Sequence, residues 1–260
     1  MKIILCAIAT LLLSGTAHAN IVNLQRDIAQ ATKDGISGGI NLTGEASTGN
    51  TMLVRGSLSG DIYHKSGRYL GLLALKGSYG FKGNAGRFDP APFDANTFIH
   101  LRIKAQVFGP MSVEFFAQHE FDMWRRLELR ALGGAGLRID KRLMDAFSIS
   151  GGVSIMPTWE KLSTSAVEPS SDVLFELRIS TYLFAAWKIT DTVNAMATIY
   201  WQPLFSDPQD SRIMLDLVVE VDVAKNLALV FEGVLQHDTR PPAGVLNLDT
   251  ASKIGIRYKF

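Results

Sequence analysis

From Gly35 to the last residue, apolar and polar side chains take turns along the chain, and the apolar set is almost free of charge. Successive side chains of an extended strand point to opposite faces, so each segment written this way has one greasy and one ionic side. Ile254, Ile256, Tyr258 and Phe260 opposite Lys253, Arg257 and Lys259 show the pattern at its cleanest. Leu73, Leu75, Tyr79 and Phe81 opposite Lys76 and Ser78 repeat it, as do Ile213, Leu215, Leu217 and Val219 opposite Arg212, Asp216, Glu220 and Asp222. About twelve such segments fit, an even number as closed antiparallel barrels require. Short turns near residues 64–68, 108–111, 140–145, 189–192 and 224–226 alternate with longer connections at 82–95, 158–171, 203–210 and 239–247, as if on two different rims.

Alternation alone does not say which side meets solvent, because a soluble sandwich or small barrel carries the same pattern. The apolar side decides it. His119 is its main polar intruder, and a charge facing lipid at mid-depth costs about 2 to 4 kcal/mol. Aromatics on that side gather at the strand ends, with Tyr69, Phe147, Trp187, Tyr258 and Phe260 at one rim and Tyr79, Phe81, Trp159, Phe175 and Trp201 at the other. Hydrocarbon also demands a sheet without edges. The expected fold is all-β: a closed antiparallel transmembrane β-barrel of about 12 strands over residues 35–260, led by a short N-terminal helix or extended segment at 20–34.

The first residues belong to neither part. Met1-Lys2, an apolar run to Leu13 and Ala17-His18-Ala19 read as a secretory signal peptide of residues 1–19. Cys6, the only cysteine, lies inside it, so the remaining chain offers no thiolate for zinc and no cysteine nucleophile. With 26 basic and 25 acidic residues the chain is near neutral, which argues against a nucleic-acid partner. Residues 20–34 read as a periplasmic lead-in or a plug.

With the apolar side outward, the lumen receives Arg55, Lys76, Arg102, Lys104, Arg126, Arg130, Arg138, Arg178, Arg212 and Arg257. Against them stand Glu114, Glu120, Asp122, Glu128, Glu176, Asp216, Glu220 and Glu232. Inward Gly39, Gly80, Gly134, Gly136, Gly152 and Gly255 leave gaps in that wall. Barrels near eight strands are filled by side chains and those near sixteen hold a channel, so about twelve lies between. Catalytic chemistry finds little support. Gly35-Ile36-Ser37-Gly38-Gly39 spells a nucleophile elbow but opens a strand instead of joining a strand to a helix. Beside His119 the following segment offers Leu127, Leu129, Ala131 and Gly133 and the preceding one Ile99, Leu101 and Ile103, so no nucleophile is presented to it. No catalytic residue, metal site or cofactor is expected.

Several runs carry a resemblance. Thr48-Gly49-Asn50-Thr51, the stretch from Glu114 to Asp122, Arg126, Leu127, Arg130, Gly133 to Arg138, Tyr200-Trp201-Gln202-Pro203, Arg240-Pro241-Pro242 and the closing Tyr258-Lys259-Phe260 look like the salt-induced outer-membrane-protein family, whose function is unknown. The resemblance implies an outer-membrane barrel of a Gram-negative bacterium linked to salt or acid stress. The amphipathic last strand with its terminal aromatic resembles the assembly signal of outer-membrane barrels, carried here by Tyr258 and Phe260. The partners implied are outer-membrane lipid and lipopolysaccharide, with the barrel-assembly machinery reading the C-terminal strand. A narrow solute or ion channel is the first expectation, a non-conducting envelope barrel the second, and a lipid-modifying enzyme the third.

Overall fold

The computed structural model describes residues 34–47, 52–84, 87–89, 92–163, 173–242 and 244–260. The expected signal peptide and the segment 20–33 lie outside these. Thirteen strands follow in order: β1 (Gly35–Ser47), β2 (Met52–Ser66), β3 (Tyr69–Asn84), β4 (Arg87–Phe88), β5 (Asp94–Phe108), β6 (Met111–Asp122), β7 (Leu127–Met144), β8 (Phe147–Leu162), β9 (Val173–Lys188), β10 (Val193–Pro203), β11 (Ser211–Ala224), β12 (Leu227–Asp238) and β13 (Leu248–Lys259). β4 is a two-residue ribbon on the end of β3. The other twelve form the wall, each antiparallel to the next, and β13 returns to β1 to close the barrel. No described residue is helical.

The alternation lands as the side-chain period dictates. Leu58, Leu101, Ile155 and Leu183 are exposed on the outer face, while Lys76, Arg102, Glu114, Arg138, Arg178 and Arg257 are buried inside. The arrangement inverts a soluble protein: the largest side chains fully shielded from solvent include three arginines. Tyr69, Trp187 and Tyr258 at the short-turn rim and Tyr79, Trp159, Phe175 and Trp201 at the long-loop rim are all exposed. Two aromatic girdles and an apolar band between them match the exterior of a barrel immersed in hydrocarbon. Inside, apolar residues of the described wall form separate patches, one with Tyr63, Leu70, Leu72 and Phe98, one with Phe184, Met196, Val218 and Val230, and a small one of Val234 with Met214 and Ala251.

Register shifts interrupt several of the ladders, and the one in β7 re-aims predicted lumen residues. Between Leu127 and Leu129 the register of β7 against β8 slips by a residue. A bulge of this kind reverses inside and outside on one side of the slip. Leu127, opposite Asp122, therefore points inward and is buried, and Glu128 points outward to pair with Lys161 at 2.6 Å. Glu128 is thus not a lumen residue. Arg126 is not in the wall either: it sits in the β6–β7 turn at φ 53°, its guanidinium close to Gly244 of the β12–β13 loop. At Pro157 the β7–β8 ladder passes from Leu132↔Thr158 to Ala135↔Ile155, losing two pairs while keeping its register, so no side chain changes face. Proline has no N–H to give the ladder.

The closing seam is held from inside. Arg257 of β13 lays its side chain over Gly39 of β1, where a Cβ would lie 2.4 Å from the guanidinium carbon. It reaches Asp61 of β2 with both terminal nitrogens, at 2.6 and 2.7 Å. Phe260 and Gly38 exchange backbone hydrogen bonds at 3.1 Å, and the Phe260 ring covers the outer side of Gly38. Below the wall, Asp34 accepts from the Gly67 N–H at 3.1 Å and Lys65 Nζ at 3.3 Å. The backbone donor first and the lysine second hold its carboxyl below the usual range. Such a group stabilises the tethered turn above its ordinary pKa and ceases to as pH falls through the lowered one. The Gly67 amide resonance is accordingly expected to titrate with a midpoint below 3.8, and a midpoint at or above that value refutes the contact.

Candidate functional site

The lumen charges do not line a tube singly; they bond across strands in layers. At the long-loop rim an alternating chain runs round much of the wall. Arg130 bridges Glu120 at 3.0 Å and Glu160 at 2.7 Å. Arg212 meets the same Glu160 at 2.6 Å and Asp238 at 3.0 Å, and lies 3.7 Å from Glu176. Glu176 in turn meets Arg178, which also holds Asp210, both at 2.8 Å. Arg125 adds to Glu120 at 3.3 Å. These pairs put charges of both signs side by side, so each arginine buried in the wall has carboxylate acceptors, which is the condition for burying it at all.

Midway down lies a tighter cluster. Arg102 of β5 bonds Glu114 of β6 at 3.2 Å, and the Tyr182 hydroxyl of β9 donates to Glu114 at 2.7 Å from three strands away. Arg138 of β7 donates to that hydroxyl at 3.2 Å and bonds Asp140 at 2.7 Å, with Asp140 also held by Lys104 at 3.1 Å. His100 bonds Gln118 at 3.0 Å and stacks between Phe98 and Phe116. Arg102 lies 5.1 Å from the centre of the Phe116 ring, and Tyr200 packs 5.5 Å from Tyr182. Aromatic rings, guanidiniums and one shared carboxylate thus reach from β5 to β10.

The glycines explain how such bulk fits. A Cβ at Gly134 would lie 2.2 Å from Phe116, directly across the ladder, and one at Gly152 would lie 2.4 Å from Tyr182, also directly across. Phe93 occupies the space over Gly80 and Arg257 that over Gly39, while Gly136 is crowded by Ser154 and Gly255 by Thr43. The expected gaps are therefore filled. Gly39, Gly80, Gly134 and Gly152 are seats for large side chains, Gly136 and Gly255 are places of close approach, and none adds width to the lumen. Gly152→Leu should force Tyr182 off the wall at a cost of about 1 to 3 kcal/mol, read as a lower urea midpoint for the refolded barrel; an unchanged midpoint refutes the seat.

The remaining predicted lumen residues divide between the layers. Arg55 pairs with Asp94 at 2.9 Å, Asp122 caps the β6–β7 turn through the N–H groups of Trp124 and Arg125, and Glu220 with Asp222 holds Lys259. Lys76 lies among Lys253, Glu232 and Asp216. His119 is exposed on the outer face between Ile99 and Ala131. No cluster of three or more histidine, cysteine or acidic residues fit to hold a metal occurs among the described residues.

The layers divide the interior. Above the Arg102–Glu114–Tyr182 cluster are two adjoining cavities of about 110 and 270 Å³ that share Arg130, Arg212 and Asp238. Below it one of about 640 Å³ is lined by Lys104, Arg138, Phe184 and Met196 and opens among the short turns. A family model described as a protein of unknown function, DUF481, matches residues 40–260. The chain belongs to this family. No curated protein matches the chain significantly. Among solved structures, the NanC porin aligns with a TM-score of 0.52 at 8% identity, covering 85% of this chain and 100% of that one. The KdgM porin (TM-score 0.45, 10% identity, 86% and 99% covered) and the translocator domain of the autotransporter NalP from Neisseria meningitidis (0.44, 12%, 90% and 92%) also align. At 8% identity the NanC likeness bears on fold alone, and the fold is the closed antiparallel barrel described above.

Proposed function

We propose that this member of DUF481 is an outer-membrane barrel of a Gram-negative bacterium that acts as a narrow small-solute or ion conduit, its rest state occluded by the mid-lumen cluster. The observation that carries this reading is the pair of cavity systems separated by side chains and not by backbone. The upper one ends on Arg102 and Tyr182, the lower one begins at Arg138 and Lys104, and they share no lining residue. Side chains change rotamer on short timescales, whereas a folded-in loop does not. Charged rings at a constriction also set selectivity. A resting closed barrel suits a stress-linked role of the kind the salt-induced family resemblance implies.

The short turns then face the periplasm and the long loops the exterior, with lipid and lipopolysaccharide around the apolar band. Tyr258 and Phe260, exposed at the periplasmic rim, are the side chains offered to the assembly machinery. The reading involves no chemical step, and His119→Ala should leave every property unchanged. Recording from the refolded protein in planar bilayers tests the proposal. Brief, voltage-dependent openings are expected; bilayers that stay silent at high protein load and high voltage refute it and leave the non-conducting envelope barrel as the better reading.

A further inference from the structure

The inner surface changes character along one row of the wall. Tyr182, Tyr200, Met214 and Gln236 stand directly opposite one another on β9, β10, β11 and β12, so their side chains share the inner face in a line. None of the four is charged. The next inward row towards the long loops, Gln202, Arg212 and Asp238, belongs to the ion-paired chain. All four side chains of the uncharged row line the smaller upper cavity, and Gln236 lines the larger one as well.

The unused polar capacity here sits on Gln236. Its Nε2 reaches only the Met214 sulfur, at 3.7 Å, and its Oε1 is shielded from solvent with no hydrogen-bond partner. The neighbouring amides are engaged: Gln202 Nε2 donates to Ser180 Oγ at 3.2 Å, and Gln118 Oε1 meets the His100 ring at 3.0 Å. A thioether is a weak acceptor, so a buried amide held this way gains when a hydroxyl takes its place. The last torsion of a glutamine is broad, and the amide turns into either cavity at little cost. A hydroxyl suits both ends of it, donating to Oε1 or accepting from Nε2.

Charge narrows the ligand further. Among its described lining residues the larger cavity carries five arginines and five carboxylates, and most of these already bond one another. A balanced lining exerts no net pull on an ion, and an ionic solute would have to break one pair to make another. A neutral solute leaves every pair in place. Beneath it the rings of Tyr182 and Tyr200, 5.5 Å apart and tilted, form with the Met214 thioether an apolar floor for the C–H face of a saturated ring. The two cavities, about 110 and 270 Å³, adjoin at Gln236, and together they reach the roughly 300 Å³ at which small-ligand pockets begin. We infer that this row is the floor of a binding site for a neutral mono- or disaccharide, one sugar ring laid along Tyr200 and Met214 and one hydroxyl bonded to Gln236. The inference names a solute class for the conduit proposed above and rests on that reading for passage, not for binding.

Titration of the refolded full-length barrel in micelles, with glutamine side chains labelled with nitrogen-15, tests the site. Methyl β-glucoside and lactose should each shift the Gln236 amide signals saturably, and glucuronate and glucosamine should bind no more tightly than these neutral sugars. Gln236→Met keeps the length and removes the amide. It should weaken lactose binding about tenfold, read as saturation transfer to the sugar protons. Tyr200→Leu should weaken it as well, through loss of the floor with the amide intact, and an unchanged urea midpoint shows that either variant is folded. Absence of a saturable shift up to the solubility of both sugars overturns the inference. So does lactose binding undiminished in folded Gln236→Met, or tighter binding of either charged sugar. The comparison of neutral and charged sugars on the native barrel decides the matter even where neither variant refolds. Binding in micelles needs no current, so a barrel that binds lactose and stays silent in bilayers keeps the site and loses the conduit, whereas one that conducts without binding does the reverse.

Discussion

Asp61→Ala is expected to lower the stability of the refolded barrel more than any other single change in the lumen. Arg257 would then be left 1% exposed without its bidentate partner. Removing one member of a buried ion pair costs about 3 to 5 kcal/mol, because the other charge stays desolvated. The loss should appear as a lower urea midpoint and a lower temperature for the heat-induced gel-mobility shift. Asp61→Asn keeps one acceptor oxygen and should fall between. Gly39→Ala attacks the same clasp from beneath, since the added methyl collides with the guanidinium. A midpoint unchanged in both Asp61→Ala and Gly39→Ala would mean that the seam is held by its backbone ladder alone.

Tyr182→Ala should raise single-channel current severalfold. Its ring lies on Gly152, and its hydroxyl joins Glu114 to Arg138 between the two cavity systems. Truncation removes the ring and the bridge together. Tyr182→Phe removes the hydroxyl but leaves the ring seated, so its current should stay near that of the native barrel while its openings become longer. If Tyr182→Ala conducts no better than the native protein, the occlusion lies elsewhere, and the mid-lumen cluster is a structural brace.

The barrel was legible because lipid punishes charge on one face of every strand, and a period of two then writes itself into the sequence. The side of Arg102, Glu114, Arg138 and Arg257 followed from parity alone. Glu128 did not. One extra residue between Leu127 and Leu129 reverses the faces, and Leu-Glu-Leu reads equally well in either phase. The glycines mislead for a related reason. A glycine looks like missing bulk until the register shows Phe116 opposite Gly134 and Tyr182 opposite Gly152; an inward glycine facing an inward aromatic was the available signal. Partners were the least legible level. Glu114 meets Tyr182 across 68 residues and Arg257 meets Asp61 across 196, and such pairings depend on how the sheet is sheared as it closes.

The mutual bonds of Gly38 and Phe260 put the two ends of the wall side by side at the short-turn rim. A few added residues would join them into one more tight turn, and new termini could be cut into a long loop opposite. In such a circularly permuted chain the clasp of Arg257 and Asp61 would link segments close in sequence, and closure, which in the native order waits for the last strand, would become an early hairpin step.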